Sequence, residues 1–110
     1  MDLVAESYRL TANLPKTETY GLASQIQRSA VSIPANIAEG QGREHLGDYL
    51  RQVSIANGLL MELETRLLLV SRLAFVSAGE VEPLLEKTGE VSRTLIGLTS
   101  LKQSRSASNT

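Results

Sequence analysis

The sequence predicts an all-α chain folded as an antiparallel, up-down-up-down four-helix bundle. Three observations predict it. Leucine dominates the apolar residues, and they recur at three- and four-residue spacings over most of the 110 positions. Prolines and glycines fall where such stretches begin or end, leaving short connections at 15–17, 41–43 and 76. Short connections between helices force antiparallel neighbours.

The first helix is expected over residues 2–14, where Leu3, Val4, Tyr8, Leu10, Thr11 and Leu14 recur at three- and four-residue spacing and Pro15 ends it. The second is expected over 18–40, with Thr17 as N-cap and Glu18 in the first turn. Its apolar stripe is Ala23, Ile26, Ala30, Ile33 and Ile37. A polar stripe runs beside it through Gln25, Ser29, Ser32, Asn36, Glu39 and Arg43. Pro34 lies inside this helix and predicts a kink, with Ser29 or Ser32 taking up the carbonyl it frees. Gly40 and Gly42 supply the C-terminal stop.

The third helix is expected over 44–75 and would be about 48 Å long. Gly47 and Gly58 weaken it by up to about 1 kcal/mol each, unless they permit close helix contact. The fourth is expected over 77–103, opened by a capping box at Ser77 and Glu80. Its seam of Val81, Leu84, Thr88, Val91, Leu95 and Leu98 is heptad-like. Pro83 is tolerated in the first turn. Residues 1–103 make the bundle, and the small, polar tail 104–110 is expected to be disordered. The first helix, about 20 Å long, leaves part of the groove beside the third uncovered, which calls for upstream residues or another subunit.

Composition narrows the function. The chain has no cysteine, so it offers no disulfide and no thiolate nucleophile or metal ligand. Net charge is −1, without the basic excess of a typical nucleic-acid or membrane-surface protein. The absence of a basic leader and of a run of ~20 apolar residues predicts a soluble, cytoplasmic protein, with no membrane partner. His45 is the sole histidine and lacks a Glu-x-x-His companion, so no metal or other cofactor is expected. Glu62 and Glu64 project from different sides of one helix and cannot act as an acid–base pair. Gly40-Gln41-Gly42 is too short for a phosphate loop. No catalytic residue is predicted, and the chain is read as non-enzymatic. Two candidate sets remain. Asn36, Glu39 and Arg43 form a polar network, structural or at an interface. Arg28, Arg43 and Arg51 are candidate nucleic-acid contacts, because arginine suits bidentate contact with phosphate.

A string of short words runs through the chain in order: Tyr8-Arg9-Leu10-Thr11, Leu14-Pro15, Tyr20-Gly21-Leu22, Gln25-Ile26 and Ala30-Val31-Ser32-Ile33-Pro34. It continues through Asn36-Ile37-Ala38-Glu39-Gly40, Gly42-Arg43, Tyr49-Leu50, Ile55-Ala56 and Glu62-Leu63-Glu64-Thr65. By these words the chain resembles, from Leu3 to about Leu73, a bacterial family, the four helix bundle proteins encoded in intervening sequences of 23S ribosomal RNA genes. The resemblance implies a homopentameric ring. It also implies kinship with the accessory variability determinant of diversity-generating retroelements, a basic pentamer that binds nucleic acid and a reverse transcriptase. The family commonly has two adjacent basic residues after Gln25-Ile26; here they are Gln27 and Arg28. The reading is an oligomeric scaffold or adaptor whose first partner is itself, with nucleic-acid accessory protein as the alternative.

Overall fold

A computed structural model describes residues 2–42 and 45–108. Four α-helices make up the bundle: α1 (Asp2–Thr11), α2 (Ser24–Gln41), α3 (Leu46–Arg72) and α4 (Ala78–Ser108). They pack in the order α1-α2-α3-α4 around a square, with α2 against α3 as the most extensive contact. The molecule is an elongated rod of 54 × 23 × 18 Å. No helix among the described residues is long and apolar enough to cross a membrane.

The apolar stripes meet along the axis. Ile26, Ala30 and Ile33 of α2 face Ala56, Leu60, Leu63, Leu67 and Val70 of α3 in one buried cluster. Leu3, Leu10 and Leu14 close it from the α1 side, and Val81, Leu84 and Leu95 from α4. At about 25 cal/mol per Å² of apolar surface, this burial is the main stabilising term.

Element boundaries differ from expectation in several places; α1 already stops at Thr11 and not at 14, and the others have local reasons. The stretch after Pro15 is not yet α2. A 3₁₀ turn at Lys16–Glu18 begins with the Glu18 N–H donating to the Pro15 carbonyl at 2.8 Å, so Thr17 is no N-cap. A π-helical turn follows over Thr19–Ala23 and is broken at Gly21, whose φ of −102° and ψ of −108° no helix accommodates. The interruption thus falls at Gly21, and α2 runs on through Pro34. Ser29, one of the two serines expected near the carbonyl freed by Pro34, accepts from Arg66 Nη1 at 2.8 Å through its hydroxyl. Gly42 caps α2 in an ordinary right-handed conformation, its N–H shared among the carbonyls of Ala38, Glu39 and Gly40. Gly40 lies inside the helix and is buried. A Cβ there would stand 2.9 Å from Gln52 Cβ. Gly40 is thus where two backbones approach closely. Gly47 and Gly58, for which close contact was the alternative to a weakened helix, have no atom within 4 Å of a Cβ position.

The end of α3 differs as well. The helix stops at Arg72 and is closed by a left-handed residue, Ala74, at φ 60°. Phe75 N–H donates to the Val70 carbonyl and Ala74 N–H to the Ser71 carbonyl, both at 3.0 Å. This is a Schellman closure with alanine where glycine is usual. A left-handed non-glycine costs about 1–2 kcal/mol. Ala74→Gly is therefore expected to raise stability by about 1 kcal/mol, read as a higher midpoint in urea with unchanged slope; a lower midpoint would contradict the assignment. Finally, α4 passes its expected end at 103 and stays helical to Ser108, because Ser104–Ser108 contains neither proline nor glycine. The Ser77 hydroxyl accepts from Glu80 N–H at 3.2 Å, half of the predicted capping box.

Candidate functional site

Of the predicted polar stripe of α2, Ser29 reaches α3, while Gln25 is exposed. Ser29 faces Arg66, and Gly40 faces Gln52, which sets the antiparallel register between the two helices. Asn36, a turn before Gly40, is half-buried and donates from Nδ2 to the Ser32 carbonyl at 2.7 Å. Glu39 is exposed. Arg43, common to both predicted sets, lies outside the described residues.

The other two arginines are not brought together within one chain. Arg28 and Arg51 are both exposed. By the α2–α3 register, Arg28 stands level with about Leu67 and Arg51 level with about Gln41. That places them roughly 20 Å apart along the bundle. Arg28 instead borders a shallow groove of about 390 Å³ between α1 and α2, with Tyr8, Gln27 and Val31. His45 is exposed, in extended backbone just before α3, and its carbonyl accepts from Tyr49 N–H at 3.1 Å.

The structure adds polar links between helices that sequence reasoning overlooked. Thr88 is fully buried, and its hydroxyl lies 2.9 Å from Glu64 Oε1 and 2.8 Å from the Leu85 carbonyl. Thr11 accepts from Gln27 Nε2 at 2.9 Å. Lys87 reaches Asp2 and Glu6 at 3.8 Å each and ties α1 to α4. Lys102 stands 5.4 Å from the ring centre of the buried Tyr49, within cation–π range. One signal for these was available: Thr88 sits on a seam whose other members are Val and Leu. Ser7 sits similarly between Leu3 and Leu10. Ser7 is fully buried, and among the described residues its hydroxyl has no partner. An orphaned buried hydroxyl costs about 1–3 kcal/mol. Ser7→Ala is expected to stabilise the chain by about 1 kcal/mol in thermal or urea unfolding; a loss of that size would reveal a hidden partner.

Glu62 and Glu64 diverge as predicted. Glu64 faces Thr88 on α4, and Glu62 pairs with Arg66 on the outside of α3 at 3.4 Å. Together with Met61 and Thr65, Glu62 and Arg66 line a shallow groove of about 260 Å³. Among the described residues, no three His, Asp or Glu side chains gather where a metal could be held.

The outer surface is more apolar than the bundle alone requires. Met61 is 68% exposed, Leu68 52%, Leu73 49%, and Ile55 and Leu69 40% each, all on or just beyond α3. Ile96 and Leu101 of α4 and Tyr8 and Tyr20 are exposed as well.

Comparison with known proteins agrees with this architecture. The chain is similar to a crystal structure of a protein of unknown function from the S23 ribosomal protein family of Bacteroides thetaiotaomicron, with a TM-score of 0.81 and 24% identity. The match covers 89% of this chain and 92% of that one, and it bears on the fold. No curated protein matches the chain. The family model described as 23S rRNA-intervening sequence protein matches residues 1–97, nearly the whole bundle, and the chain belongs to that family.

Proposed function

We propose that this protein is a self-associating helical scaffold or adaptor of the cytoplasm, without chemistry of its own, and that its copies form a ring. The observation that carries this reading is the number of large apolar side chains left outside the core, with Met61 68% and Leu68 52% exposed on α3 and Ile96 and Leu101 exposed on α4. A monomeric surface scatters such residues singly, whereas several together mark an interaction site. The ring of five implied by the family resemblance supplies the expected number. Sedimentation equilibrium at micromolar concentration is the test. Five copies of 11.9 kDa weigh 59.5 kDa and two such rings 119 kDa; a chain that stays at 11.9 kDa overturns the reading.

A nucleic-acid accessory role is the second reading. The pairing of exposed Tyr8 with exposed Arg28 beside one groove favours it, since ring stacking and phosphate contact are what single strands use. Binding to structured RNA should then weaken steeply with salt and drop in Arg28→Ala. Absence of binding at low salt removes this reading and leaves the scaffold.

A further inference from the structure

Along the outside of α3, six residues repeat at spacings of four, three, four, three and four: Ile55, Leu59, Glu62, Arg66, Leu69 and Leu73. This is the periodicity of a coiled-coil seam. Among the described residues, Leu59 packs partly against the core and Arg66 reaches Ser29, while the other four are exposed. Ile55, Leu69 and Leu73 are 40–49% exposed, Leu59 is half-buried, and Glu62 and Arg66 carry an ion pair at the surface. The seam is also its own complement when read backwards. Ile55 and Leu73 stand nine positions either side of residue 64, Leu59 and Leu69 five, and Glu62 and Arg66 two. Two copies packed antiparallel about that point would set Ile55 on Leu73, Leu59 on Leu69 and Glu62 on Arg66, twice each. Every apolar side chain meets an apolar one, and every charge meets its opposite. Such self-complementarity is what a two-fold contact requires.

We propose that this outer seam of α3 is a contact between two copies of the chain, packed antiparallel about a two-fold axis beside residue 64. The inference rests on the scaffold reading and specifies one surface of it. Three features support the geometry. The seam from Ile55 to Leu73 is about 27 Å long, half the 54 Å of the rod, so the two bundles overlap over their middles. The groove at its centre, lined by Met61, Glu62, Thr65 and Arg66, receives the partner's same side chains. Gly58, next to Leu59, has no atom within 4 Å of a Cβ position and leaves room for a second backbone. Arg66 is held by Ser29 and Glu62 and is only 25% exposed in its side chain, so little freedom is lost when it meets a second carboxylate. The contact is additional to a ring. It pairs two rings, or two chains where no ring forms, so the assembly holds an even number of copies.

The test is a charge swap read by sedimentation, with circular dichroism confirming helix content. The wild-type chain should weigh 23.8 kDa as a pair or 119 kDa as two rings. Glu62→Arg should place arginines opposite one another and halve the mass, and Arg66→Glu should do the same with carboxylates. The double variant E62R/R66E restores the opposition and should recover the wild-type mass. Because the chain has no cysteine, a second measurement is clean. A mixture of E62C and R66C chains treated with a short bis-maleimide should give far more cross-linked dimer than either variant alone. If the wild type is larger than 11.9 kDa but indifferent to both single swaps, as an odd ring of 59.5 kDa would be, the seam is not the contact while the scaffold stands. A wild type that stays at 11.9 kDa overturns both, and leaves the seam to a different protein.

Discussion

Leu63→Ala is expected to lower the free energy of unfolding by about 3–4 kcal/mol, the largest effect of any single truncation considered. Leu63 sits midway along α3 with none of its surface exposed, inside the buried cluster that also holds Ile26 and Ile33 of α2 and Val81 and Leu84 of α4. Truncation removes its transfer free energy and leaves a void that two rigid helices cannot fill. The melting temperature should fall by roughly 15 °C for a chain of this size. Leu68, five residues further on, makes the control. It is 52% exposed, so Leu68→Ala should cost less than about 1 kcal/mol. Equal losses at the two sites would falsify the assignment of which side of α3 faces inward.

Gly40→Ala sets two effects against each other, and their magnitudes decide the sign. Alanine in a helix interior gains up to about 1 kcal/mol over glycine. At Gly40, however, the new methyl would stand 2.9 Å from Gln52 Cβ, an atom fixed to the α3 backbone. Relief requires moving a helix, and overpacking of this kind costs about 1–3 kcal/mol. A net loss of about 1–2 kcal/mol is expected, larger for Gly40→Val. Gly97→Ala on α4 tests the opposite limit. Nothing lies within 4 Å of its Cβ position, so the propensity term acts alone and stability should rise by about 0.5–1 kcal/mol. Denaturant melts of the pair should therefore move in opposite directions, and a gain at both would remove the close α2–α3 contact from the account.

Much of the bundle was legible because a helix's buried face is a property of spacing. Ile26, Ala30 and Ile33 on α2 and Leu60, Leu63 and Leu67 on α3 could be marked before any coordinates, since only one side of each helix carries an unbroken apolar row. The ends were harder to read. Closure of α3 by Ala74 has no glycine to announce it. The break at Gly21 lay hidden behind Pro34, which looks more disruptive but is absorbed in a continuous helix. The roles of the glycines were misassigned for a related reason. Periodicity tells which residues share a face, while close approach depends on register with a neighbour. That register brings Gly40, and not Gly47 or Gly58, against another backbone. The candidate site shows the same division. The polar stripe through Asn36 and Glu39 was visible in the spacing, but the separation of Arg28 from Arg51 follows from how α2 and α3 align. Thr88 and Ser7 were passed over because a short polar side chain hardly interrupts an apolar pattern.

The arrangement of the four helices carries a consequence for how the chain acquires its structure. The heaviest packing joins α2 to α3, neighbours in sequence separated by only a few residues, and α3 to α4 comes next. Contacts between adjacent segments close small loops and form early. The hairpin of α2 and α3 is thus the natural nucleus, on which α4 zips down. The short α1 must cross the irregular stretch around Gly21 to dock, and it is anchored by Leu3, Leu10 and the Lys87 ion pairs. It arrives last and leaves first. Core damage in the hairpin should show itself mainly as slower folding, and damage under α1 as faster unfolding.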